Sequence, residues 1–69
     1  MLQELFDRWT EIQKQHGGNE TDRIAEELNI LEALRISGCA AIPGEKHNIH
    51  TLISDRHRQM EESLRKRKG

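Results

Sequence analysis

The chain has 69 residues, one third of them apolar and one third charged, which makes one domain, because at this length folding buries only about 60% of the unfolded chain's surface. No apolar surface is left over for a second domain or for a deep catalytic cleft walled by one chain, and a single cysteine excludes an intrachain disulfide. The formal net charge of -1 divides into -5 over residues 1–55 and +4 over the basic C-terminal segment 56–69.

No apolar run approaches the ~18 residues of a membrane span, and the first residues lack the basic-then-apolar layout of a signal peptide. The expectation is a soluble cytoplasmic protein without a membrane association. Val and Tyr are absent, and Leu, Glu, Gln, Arg and Lys dominate, which favours helices over strands.

In the first segment Leu2, Leu5, Phe6, Trp9 and Ile12 fall at i, i+3, i+4, i+7 and i+10, one face of a 3.6-residue period. This predicts a helix over about residues 2–15, ended by Gly17-Gly18. Asn19 is placed to cap a second helix, with Glu20 and Asp22 in its first turn near the positive end of the dipole. That helix, over about 20–37, carries Ile24, Ala25, Leu28, Ile30, Leu31, Ala33, Leu34 and Ile36, too many for one stripe. It is therefore expected to touch neighbours on more than one side. Ser37-Gly38 stops it, and Cys39 to Gly44 forms a small-residue connection closed by the turn dipeptide Pro43-Gly44. A third helix over about 46–66 follows, with Asn48 as a possible late cap. Ile49, Leu52, Ile53, Met60 and Leu64 share its face, and the aliphatic stem of Arg56 completes the stripe.

Several patterns invite chemical readings. Ile24 to Ile30, with Asn29 at a turn position, resembles the first half of a helix-turn-helix, but the apolar anchor expected five residues past Ile30 is Arg35, with Ile36 one place late. Such a slip rotates the anchor by about 100°, so one continuous helix is the preferred reading and a degenerate helix-turn-helix at 21–37 the alternative. His47, His50, His57 and Cys39 are metal-ligand types, yet only His47 and His50 are close enough on a helix to share an ion, and no second thiol exists. No metal site and no cofactor is expected; His50 and His57 are read as half-buried residues flanking the apolar stripe. Cys39 reads as a small buried thiol rather than a nucleophile. Glu26 and Glu27, adjacent and pointing to different faces, read as solvated surface. Gly17-Gly18 lacks the framework of a phosphate loop. An enzyme is not expected.

Phe6 and Trp9 are the whole aromatic content. Such a pair is commonly core, but Trp also anchors interfaces, so Trp9, Phe6, Ile30 and Leu34 are the candidate partner-binding residues. The reading is an all-α, three-helix domain, the first two helices forming an antiparallel hairpin and the third packing across both. Because two partial stripes are too little to cover the second helix, completion by a second copy as a homodimeric bundle is expected. The expected function is that of a small non-catalytic regulator, adaptor or inhibitor binding a macromolecular partner, preferably protein. The alternative is nucleic-acid binding through Arg56, Arg58, Arg65, Lys66, Arg67 and Lys68, although basic residues near a helix C-terminus also complement its dipole.

Overall fold

A computed structural model describes residues 2–15 and 17–68, the side chains of Arg67 and Lys68 excepted. Three helices follow one another, α1 (Leu2–Lys14), α2 (Glu20–Ile36) and α3 (Ile49–Lys68). The all-α reading holds, with each boundary within three residues of its predicted place. Asn19 caps α2 by accepting from the amides of Thr21 at 2.8 Å and Asp22 at 3.3 Å. Asn48 does the same for α3, its Oδ1 accepting from Thr51 N at 2.9 Å, which fixes the late start at Ile49.

The second helix is the middle layer, as its excess of apolar residues implies. Both α1 and α3 pack antiparallel on it. The α1 and α3 backbones do not approach one another, so α3 packs on α2 rather than across both helices, and only side chains bridge the outer pair. Ile24, Ile30, Leu31 and Leu34 are each no more than 1% exposed within the one chain. These four residues of α2 are thus covered within one chain, while Ile36 at its end is 76% exposed. Asn29 sits in an uninterrupted helix, and no non-glycine residue among those described has positive φ. This overturns the helix-turn-helix at 21–37: the turn it needs does not form, because Ile30, Leu31 and Leu34 are anchored on the same continuous helix.

The connection from Ser37 to Asn48 is more ordered than its small residues suggest. Gly38, at φ +85°, closes α2 in a Schellman motif, with Cys39 N donating to Leu34 O and Gly38 N to Arg35 O, both at 3.0 Å. Pro43 and Gly44 (φ +89°) then turn the chain, with Glu45 N donating to Ile42 O at 3.1 Å. This turn drives Ile42, 4% exposed, into the core beside Trp9, Leu34, Ile49 and Leu52. An isolated antiparallel bridge between Ala41 and Asn48 holds the mouth of the loop.

Candidate functional site

Two positions on apolar stripes carry charges. On α2 the residues at 24, 27, 31 and 34 recur at helical spacing and are all buried, so Glu27 occupies a core position at 3% exposure. On α3, Arg56 occupies the corresponding place between Leu52 and Met60, its side chain only 14% exposed. The two meet: Arg56 Nε faces Glu27 Oε1 at 3.3 Å, sealed from solvent and without hydrogen-bond geometry. Gln13 of α1 donates to the other carboxylate oxygen of Glu27. The guanidinium also lies over the Trp9 ring, 5.4 Å from its centroid, within cation–π range. Trp9 in turn donates its indole N–H to Glu45 Oε2 at 3.0 Å. A chain of polar contacts thus links all three helices and the 37–48 loop through their interior.

Asp55 anchors the other edge of Arg56, accepting from its Nη1 at 2.8 Å, from Gln59 Nε2 at 2.7 Å and from Arg58. The hydrogen bond from Arg58 is the main cause holding the Asp55 carboxyl below its ordinary 3.8, with both guanidinium charges acting in the same direction and partial burial opposing them. A cleft of about 180 Å³ opens beside this network, lined by Gln13, Gln15, Arg23, Glu27, Arg56 and Gln59. Arg56, on its floor, is paired with both Glu27 and Asp55 and so ties α3 to α2.

The second charged surface is the last turn of α3. Thr21 and Ser63 share a hydrogen bond at 2.6 Å, which sets Ser63 level with the start of α2. Residues 64–68 continue about 7 Å beyond Ser63 at 1.5 Å per residue, and Lys66 lines a pocket there with Asn19, Glu20 and Thr21. On this stretch Leu64 is 47% exposed, Arg65 is 77% exposed with only a loose 3.6 Å pair to Glu61, and Lys66 is exposed.

The predicted site residues fare unequally. Trp9, Ile30 and Leu34 are at most 2% exposed and lie in the core of the single chain, and Phe6 packs partly buried against the same cluster. Among the nucleic-acid candidates, Arg56 is withdrawn by Trp9, Glu27 and Asp55, and Arg58, though 63% exposed, is held by Asp55 and Glu62. Arg65 and Lys66 remain accessible; the side chains of Arg67 and Lys68 lie outside the described residues. His50 and His57 are exposed rather than half-buried, because each falls next to a position of the stripe, Ile49 or Arg56, instead of on it, and His47 is exposed as well. Cys39 is partly buried, its thiol donating to Ala41 O at 3.1 Å.

Glu27 is the residue that sequence reasoning misplaces, its acidic type outweighing its position. The signal that locates it is a pair of complementary charges, one on each of two facing apolar stripes. Among the described residues, no group of three or more His, Cys, Asp or Glu is gathered for a metal ion, and no helix is long and apolar enough to cross a membrane. The chain matches no protein family, no curated protein and no solved structure in sequence or fold comparison.

Proposed function

We propose that the protein is a small non-catalytic regulator or adaptor that works by binding an acidic protein surface with the last turn of α3. The observation that carries this reading is the exposure of that turn: Leu64, Arg65 and Lys66 are exposed and lie outside the core cluster. A half-exposed leucine set among cations matches a partner that offers carboxylates around an apolar spot, since interface cores are apolar and their rims charged. Its cytosolic setting rests on the single cysteine, which favours a reducing compartment.

The nucleic-acid reading keeps one favourable feature, the four consecutive cations Arg65, Lys66, Arg67 and Lys68. Against it, both aromatic side chains are packed into the body, so no stacking platform faces a base. The test is capture from cell extract by the immobilised full chain, with and without nuclease, beside an Arg65→Gln/Lys66→Gln variant. The protein reading expects bound species that resist nuclease and are lost by at least tenfold in the variant. Capture abolished by nuclease, together with a log-log salt slope for a nucleic-acid probe near the ~-0.9 expected per neutralised phosphate, moves the assignment to nucleic acid.

A further inference from the structure

We infer that the cleft shared by the three helices is a binding site for one carboxylate, with Arg23 as the group that takes it. The site is separate from the last turn of α3, and its binding does not depend on the acidic-surface reading. The cleft, about 180 Å³, is walled by Gln13 and Gln15 at the end of α1, by Arg23 and Glu27 of α2, and by Arg56 and Gln59 of α3. It is smaller than the ~300 Å³ at which pockets for drug-sized ligands begin, and it suits a group of a few heavy atoms.

The charges around it do not balance. Arg56 faces Glu27 at 3.3 Å and donates to Asp55 at 2.8 Å, so two carboxylates answer one guanidinium. Arg23 has no such answer: it is half-buried, and no carboxylate among the described residues lies within ion-pair distance of it. Glu27, one helical turn further along α2, is turned to Arg56 and Gln13 instead. A guanidinium held partly out of water on a polar cleft is completed by an anion, and its planar fork matches a carboxylate in a bidentate pair.

The glutamines supply neutral hydrogen bonds. Gln13 and Gln59 donate their amide nitrogens to Glu27 and Asp55, which leaves each a carbonyl oxygen as acceptor. A ligand with an N–H beside its carboxylate uses both kinds of group, as an acylated amino acid or the C-terminus of a peptide does. Charge selects against phosphate. A phosphate group carries about -1.5 to -2 near neutral pH and meets Glu27 and Asp55 as like charges, whereas one carboxylate matches the one uncommitted guanidinium.

The test is a titration of the isotope-labelled full chain with N-acetylglycine at fixed ionic strength, read by NMR on the side-chain N–H signals of Arg23, Gln13 and Gln59. These signals should move saturably. N-acetylglycinamide, the same molecule without the charge, should leave them in place. Arg23→Gln should weaken binding at least tenfold, and Arg23→Lys, which keeps the charge but not the fork, by less. A free-acid peptide that binds tenfold tighter than N-acetylglycine identifies a chain terminus as the source of the carboxylate, and equal affinity a small free acid.

An absence of saturable movement in the wild-type chain overturns the inference, as does equal movement with the uncharged amide or tighter binding of inorganic phosphate. These wild-type comparisons decide the matter even where an Arg23 variant does not fold. The backbone signals of residues 64–66 separate this site from the last turn of α3. Saturable movement there, and not at Arg23, overturns the cleft while it supports the acidic-surface reading.

Discussion

Removing the Arg56 guanidinium would leave the Glu27 carboxylate with Gln13 as its one side-chain hydrogen-bond donor among the described residues. Breaking one partner of a buried pair costs about 3–5 kcal/mol, which equals the whole net stability available to a core of this size. Arg56→Met should therefore leave the chain largely unfolded, and Glu27→Leu/Arg56→Met should recover most of the loss, because an apolar pair of similar volume needs no charge to be compensated. A urea double-mutant cycle followed by Trp9 fluorescence checks this; a loss below about 1 kcal/mol for Arg56→Met would mean that water screens the pair. Asp55 behaves differently. Its folded carboxyl binds a proton less readily than the unfolded one, so its contribution is fully present above 3.8 and disappears as the pH falls through the lower folded value. Its side chain is one-third exposed, and solvent screening holds the effect to about 1 kcal/mol or less. Asp55→Asn should lower the urea midpoint in neutral buffer and make it flatter than wild type through the acid range below 3.8.

At the scale of the elements, what the sequence makes legible is what repeats. The three helices follow from periodic apolar residues and from Asn19 and Asn48 as caps, and the central place of α2 follows from its surplus of aliphatics, since a helix apolar on two sides needs two neighbours. The 37–48 connection carries no period, and Ile42 alone between Ala41 and Pro43 gives no sign of burial. Its position depends on two glycine conformations acting over several residues, and these appear only with the backbone. Arg56 is legible on the stripe of α3, but Glu27 is hidden for another reason: its residue type and stripe position point in opposite directions, and only its approach to Arg56 resolves the conflict. The loop offers its own test. A Cβ at Gly38 meets nothing within 4 Å, so substitution there is opposed by backbone conformation alone, φ being +85°. Gly38→Ala should destabilise by about 1–2 kcal/mol. Gly17, equally open but without a positive φ, is the control: Gly17→Ala should be neutral or stabilise by up to ~1 kcal/mol by restricting the unfolded chain. Equal losses at both sites would show that the Schellman turn is not what ends α2.

For the whole molecule, the question is which contacts close the core and which join copies. Trp9, Ile30, Leu31 and Leu34 reach at most 2% exposure inside a single chain, because α1 and α3 flank α2 on both sides. These residues are therefore closed off within one chain, and the exterior carries charges, on which salt acts, beside the exposed Leu2, Ile36 and Leu64. The two contributions separate in a melting experiment. At about 1 M salt, with charge interactions confined to ~3 Å, the melting temperature should be independent of protein concentration, because no folded species then gains from a second copy. Leu34→Glu should unfold the monomer outright at any salt, since it places a carboxylate at 0% exposure with no described cation in the cluster around it. Arg65→Glu/Lys66→Glu should leave the high-salt melt unchanged, its residues standing outside that cluster. A high-salt melting temperature that rises with concentration would mean that the second copy completes the apolar core after all. In that case Leu34→Glu would give a destabilised but folded monomer, and α2 would be where the copies meet.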